Sequence, residues 1–283
     1  MTTLFPLPCP TLPEFTTLLV AGPLHASAPI HLCLSHLATR PDSTALLLSP
    51  SRQTYLNALI DLNDDWLNEC GGFGAVSSLL SNVTSLYPPT PMHMCTVLSM
   101  LKVVEHTDEP TFTSKAPVAA PPAMIVLSQL SNYFADDPNA TLSSYLGLVA
   151  SALETISSFG TTITALVVID SGLHELKLPL VEGPGDGGRA YARHFALDHV
   201  GQYFEWVALF ERGDTPQNDE RASSKHLTLS KIGAKTEDVV FWSWVEASAV
   251  GRRAFSERVG TVFGWSEEPD TPGPDSQASV QSL

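Results

Sequence analysis

Apolar and polar positions along residues 16–170 switch repeatedly between a period of two and a period near 3.6. The switching predicts short strands separated by amphipathic helices. Residues 16–21 read as a strand, and Ile30, Cys33, Leu34 and Leu37 then recur at helical spacing through residue 38. A second strand covers 44–48. A second helix covers much of 52–69 and stops at Gly71-Gly72, where glycine suits a helix end. A third strand, 83–87, ends at Pro88-Pro89 and precedes a helix carrying Met94, Val97, Leu98, Leu101 and Val104. A polar, proline-containing loop over 107–122 leads to an apolar strand at 123–127. The clearest stripe follows, with Leu142, Tyr145, Leu146, Val149, Ala152, Leu153, Ile156 and Phe159 on one helical face, and then a strand at 163–169.

Continuous apolar strands separated by amphipathic helices indicate a mainly parallel sheet covered on both faces, so the fold class is α/β. Beyond Asp170 the texture changes. A loop rich in glycine (Gly183, Gly185, Gly187, Gly188) precedes a short helix near 190–197. Strands at 203–210, 226–231 and 239–246 then follow without long helices, which predicts a C-terminal antiparallel extension of the same sheet. Residues 1–15, with Pro6, Pro8, Pro10 and Pro13, read as an extended lead-in, 16–265 as a single domain and 266–283 as a disordered tail. Phe5 within the lead-in suggests two roles, docking on a neighbouring subunit or simple disorder.

The length of 283 residues suffices for a full core. Fifteen Lys and Arg against thirty Asp and Glu give a net charge of −15, which argues against a broad nucleic-acid or anionic-membrane surface. One region departs from this balance. Arg221, Lys225, Lys231, Lys235, Arg252, Arg253 and Arg258 outnumber Glu237, Asp238, Glu246 and Glu257. Within it, Lys231, Lys235, Arg252 and Arg253 are the candidate phosphate-contacting residues, with Trp242 or Trp244 as a stacking platform; the plainer reading is a solvated strand edge with buried tryptophans. Cys9, Cys33, Cys70 and Cys95 lack C-x-x-C spacing and read as free thiols in a reducing compartment. With no leader-like segment and no spanning apolar run, the expectation is a soluble intracellular protein of the cytosol or nucleus, without a membrane partner.

The most informative stretch joins the first strand to the first helix. It has the layout of a phosphate-binding loop, but counting from Gly22 places Ser27, Ala28 and Pro29 where G-x-x-x-x-G-K-[ST] needs Gly, Lys and Ser/Thr. The cation for the phosphates and the hydroxyl for magnesium are both missing. An ordinary strand-to-helix turn, with Pro29 at the first helical position where proline is at home, accounts for the same residues. A phosphate loop also works with an aspartate at the end of a later apolar strand. The residue following 123–127 is Ser128, so both halves are absent and neither ATP hydrolysis nor a cofactor is expected. These residues, Gly22, Ser27, Ala28, Pro29 and Ser128, form a candidate vestigial nucleotide site. Asp170, with His174 four residues on, is the one carboxylate suggesting a competing enzyme reading, a hydrolase; a strand-end aspartate that starts a turn is the commoner arrangement. No histidine or cysteine cluster has metal-ligand spacing, and no serine lies in a nucleophile elbow.

Several short segments carry a family resemblance. They are Leu86-Tyr87-Pro88-Pro89-Thr90 before a helix, the run from Met124 through Ser128, Asn132, Tyr133 and Phe134 to Pro138, Gln202-Tyr203-Phe204, and Thr236-Glu237 before an apolar strand. Together they resemble the RecA-like recombinase paralogues, and within them the small subunit that accompanies a SWIM-domain zinc protein in Shu-type complexes. The resemblance implies a non-catalytic, pseudo-ATPase subunit in the nucleus. It would support recombinase filaments on single-stranded DNA in homologous recombination repair, with a SWIM-domain protein and recombinase or recombinase paralogues as partners. The same scaffold also looks like the sixth subunit of Elongator, a RecA-like ring acting in tRNA modification.

Overall fold

The computed structural model describes residues 1–40, 42–103, 117–118, 121–160, 164–180, 193–213, 222–233, 239–250 and 259–265. The first strand, β1 (Thr17–Ala21), leads through a turn to helix α1 (Ala28–Ala38), whose first turn carries Pro29. Strand β2 (Ala45–Leu48) follows. The predicted single helix over 52–69 is two, α2 (Arg52–Leu62) and α3 (Asp65–Cys70). Asn63 takes a left-handed conformation (φ 44°) that stops α2, and Asp64 accepts from the Leu67 amide to start α3. Polar residues that favour caps over helix interiors outweigh the apolar spacing there. Helix α4 (Gly74–Ser81), which the periodicity did not signal, precedes β3 (Val83–Leu86) and α5 (Pro91–Met100).

Two short strands, β4 (Lys102–Val103) and β5 (Pro117–Val118), pair in parallel away from the main sheet. Strand β6 (Met124–Ser128) is apolar until its last residue, and helix α6 (Leu142–Ser157) matches the strongest stripe of the sequence. Strand β7 (Ala165–Asp170) follows. The region near 190–197 departs from expectation: β8 (Lys177–Pro179) pairs antiparallel with β9 (Arg193–Phe195), and the helix α7 (Ala196–Val200) starts only after it. Strands β10 (Trp206–Arg212), β11 (Ala222–Lys231) and β12 (Val240–Val250) form the expected extension. A further strand, β13 (Val259–Trp265), adds to its edge.

The main sheet has nine strands in the order β13-β12-β11-β10-β1-β7-β6-β2-β3. From β10 to β3 every pair is parallel, and from β10 to β13 every pair is antiparallel. The fold is therefore α/β, a mainly parallel sheet flanked by helices with a C-terminal antiparallel extension. Strand β7 lies between β1 and β6, so the strand before the Gly22 turn is not the neighbour of the one ending in Ser128.

Alternation along the strands divides the interior. Leu18 and Val20 of β1, Met124 and Val126 of β6, and Val167 and Ile169 of β7 face the α1 side; Leu19, Ile125, Leu127, Leu166 and Val168 face α5 and α6. Leu4, Phe5, Cys9 and Leu12 of the N-terminal segment are buried on the α1 side. The Phe5 ring stacks on Phe263 at 4.5 Å and meets Phe210 and Trp244. Phe5 is thus a core residue of its own chain, and both readings of it, docking on another subunit and a disordered tail, are corrected. An aromatic ring that finds an intrachain pocket buries more area than a mobile tail would. The segments 181–192 and 266–283, which include the glycine-rich loop and the predicted tail, lie outside the described residues.

Candidate functional site

The turn after β1 sits at the C-terminal edge of the parallel strands, where α/β folds place their ligands. Gly22 begins it with φ 101°, and a Cβ there would lie 2.1 Å from the Phe210 carbonyl oxygen. The close passage of β10 therefore demands glycine at this position, whatever the turn once held.

The remainder of the turn closes on a buried polar network. Ser27 donates through Oγ to Asp64 Oδ2 at 2.5 Å, and His31 Nε2 reaches the same oxygen at 2.7 Å. Asp64 Oδ1 accepts from the Leu67 amide at 3.0 Å. His25 donates from Nε2 to the Leu62 carbonyl at 3.1 Å, with Nδ1 2.8 Å from Ser27 Oγ. Burial pulls the His25 pKa down, so its ring is neutral and hydrogen-bonded rather than a cation. Burial acts to raise the Asp64 pKa, but the bonds from His31, Ser27 and Leu67 outweigh it and hold the carboxyl below its usual value. The hinge between α2 and α3 is anchored in turn to β13, where Thr261 donates to the carbonyls of Asn63 (2.8 Å) and Leu62 (2.6 Å). Composition gave no sign of this network. Its one legible signal was the polar run Asn63-Asp64-Asp65 interrupting a helical pattern, where a cap residue fits.

Ala28 and Pro29 lie wholly within the first turn of α1, both buried. The structure brings Pro29 and Ser128 to one cavity of about 240 Å³, which opens between the turn, α2 and the ends of β2, β6 and β7. Ser128 extends the Met124 and Val126 face of β6 toward it, and its buried Oγ has no hydrogen-bond partner among the described residues. Gln129 follows in a left-handed conformation (φ 59°), and its carboxamide oxygen accepts from the Ser171 hydroxyl at 2.8 Å. Among the described residues no Lys, Arg, Asp or Glu lines the cavity. Of the candidate site residues, Pro29 and Ser128 meet at the cavity, Ser27 and Ala28 are buried behind it, and Gly22 serves the strand packing.

Asp170 ends β7 on the opposite face of the sheet. It is fully buried, accepting from the Ser131 amide (2.7 Å) and hydroxyl (2.5 Å), the Tyr145 hydroxyl (2.9 Å) and the Gly172 amide (3.2 Å). Burial raises its pKa while these donors pull the other way. His174 lies 3.4 Å from Glu175 and makes no bond to Asp170. Asp170 is a structural node joining β7 to α6, and no pair with His174 forms.

The basic strip is not assembled among the described residues. Lys225 is buried against Glu246 at 2.7 Å, and Lys231 lies 3.4 Å from Glu205 over the Trp206 ring. Trp244 is 1% exposed, stacked on Trp265 in the core, so it cannot serve as a stacking platform; Trp242 packs against the same core. Strand register puts Lys225, Trp242 and Trp244 on one face of the sheet, but that face packs into the core on the α1 side, so the lysine is spent on Glu246 and the tryptophans on apolar contacts. Lys235, Arg252 and Arg253 lie outside the described residues. Among the described residues no group of three or more His, Cys, Asp or Glu is placed to hold a metal ion, and no helix is long and apolar enough to cross a membrane.

No family model matches the chain, and no curated protein matches it. A solved structure described as a DnaB-like replicative helicase and its interactions with primase aligns over 82% of this chain at 9% identity, with a TM-score of 0.42. The alignment spans 56% of that helicase chain, little more than half its length.

Proposed function

We propose that the chain is a non-catalytic RecA-like subunit that acts by holding partners rather than by turning over nucleotide. The observation that carries this reading is the bond from Ser27 to Asp64, which commits the turn after β1 to an internal network. A phosphate cradle needs free amides and a cation facing the ligand. Here Ala28 and Pro29 stand at the lysine and hydroxyl positions, and Ser128 stands where a magnesium-binding carboxylate would be needed.

The specific assembly rests on the sequence resemblance. On that ground the chain is a subunit of a Shu-type recombination mediator in the nucleus, working with a SWIM-domain zinc protein and with recombinase or its paralogues to support filaments on single-stranded DNA. Any DNA contact would then be shared with those partners, in keeping with a net charge of −15.

Affinity purification of the tagged chain from its own cells tests this. Recovery of a SWIM-domain protein is the expected result. Recovery of the other RecA-like ring subunits of Elongator would replace the recombination reading with one in tRNA modification.

A further inference from the structure

The cavity between Pro29 and Ser128 lacks the groups that phosphate chemistry needs, but it still presents polar side chains that could meet a ligand. A hydroxyl buried without a partner forfeits its bonds to water and gains none in return. Ser128 is 1% exposed and its Oγ is unpartnered among the described residues, at the wall of a cavity with ample room for a ligand atom. Gln129 holds a left-handed backbone conformation that a non-glycine residue adopts only at a cost, a feature that gathers at ligand sites. Its carboxamide oxygen is spent on Ser171, which leaves the amide nitrogen without a partner among the described residues.

The lining also states what cannot bind. Among the described lining residues His25 is the one imidazole, is neutral, and has its donor committed to Leu62. A phosphate or carboxylate entering here would lose its hydration with no cation to replace it. Leu24, Pro29, Tyr55 and Ile169 supply apolar walls, suited to the faces of a flat molecule whose polar edge meets Ser128 and Gln129. At about 240 Å³ the cavity is smaller than the roughly 300–1,000 Å³ typical of drug-sized ligands. A nucleoside or a smaller heterocycle matches that size.

We infer that the cavity at the ends of β2, β6 and β7 binds a small uncharged heterocycle with a carbonyl or carboxamide edge, held by the Ser128 hydroxyl and the Gln129 amide.

Saturation-transfer NMR on the full chain, with nicotinamide, uridine, adenosine and ATP as probes, tests this. At least one of nicotinamide and uridine, which carry a carboxamide or carbonyl edge, is expected to bind with Kd near or below about 1 mM, adenosine, which lacks that edge, more weakly, and ATP no more tightly than adenosine. Ser128→Ala should weaken the neutral probe about fivefold, the worth of one neutral hydrogen bond. Gln129→Asn, which keeps the left-handed preference but withdraws the amide, should weaken it similarly and provides a second variant if the first folds poorly. Absence of transfer to both nicotinamide and uridine, adenosine bound more tightly than either, affinity unchanged in both variants, or ATP bound tenfold more tightly than adenosine would each overturn the inference. Loss of this binding leaves the partner reading standing, because purification decides that one.

Discussion

Ser27 and Asp64, 37 positions apart, meet at 2.5 Å in the protein interior, and their bond joins the turn after β1 to the first turn of α3. The contact turns what has the layout of a ligand loop into a piece of the core. His31 and the Leu67 amide complete the set of donors on Asp64.

Replacing Asp64 tests the network. Asp64→Ala removes the cap of α3 and leaves the Ser27 and His31 groups buried without their acceptor, so a loss of about 3 kcal/mol is expected. The shift in the urea midpoint of unfolding, at unchanged slope, measures it.

Acidification should destabilise the protein in two stages. Burial lowers the His36 pKa from 6.5 to about 4, and that of His25 in the same direction. A histidine whose folded pKa is depressed contributes stability that is complete above its unfolded value and declines as the pH falls from 6.5 toward about 4. Asp64, also depressed, adds a further decline below its unfolded value of 3.8, as the pH falls through its folded pKa. Thermal melts from pH 7 down to about pH 2 should therefore show a midpoint that falls in both stages, and His36→Gln should flatten the slope above pH 4.

Gly22→Ala introduces both a backbone conformation foreign to L-residues and a Cβ against the Phe210 carbonyl. A loss of at least about 2 kcal/mol is expected. Gly160→Ala is a control for backbone strain alone, since φ there is 73° with nothing within 4 Å. The difference between the two melts isolates the clash with β10.

Restoring the missing lysine should not restore nucleotide chemistry. Ala28 is 0% exposed, so Ala28→Lys sets an ammonium in the core and destabilises the fold. Paired measurements of melting and ATP binding on this variant should show a lower midpoint and no gain in affinity.

The sequence carried more of the scaffold than of the site. Helix α6 and strands β1, β2, β6 and β7 were legible because long apolar stripes and continuous apolar runs leave few alternatives. The split between α2 and α3 was not, because Asn63 and Asp64 act through capping and tertiary bonds that periodicity does not register. Strand β13 was hidden by its glycines, Gly260 and Gly264, and its partner is set by a long-range register with β12. At the site, the missing lysine, hydroxyl and carboxylate could be counted from the sequence. The buried network that Asp64, His25 and His31 form around Ser27 required the fold, since the residues involved lie on three separate elements. Asp170 was singled out for its place at a strand end, but the side to which it turns depends on strand phase.

Steady-state ATP turnover by the purified full chain, with and without single-stranded DNA, tests the loss of phosphate chemistry most directly. The account predicts no release of phosphate above the buffer rate under either condition. Turnover that co-elutes with the folded chain on gel filtration would contradict it.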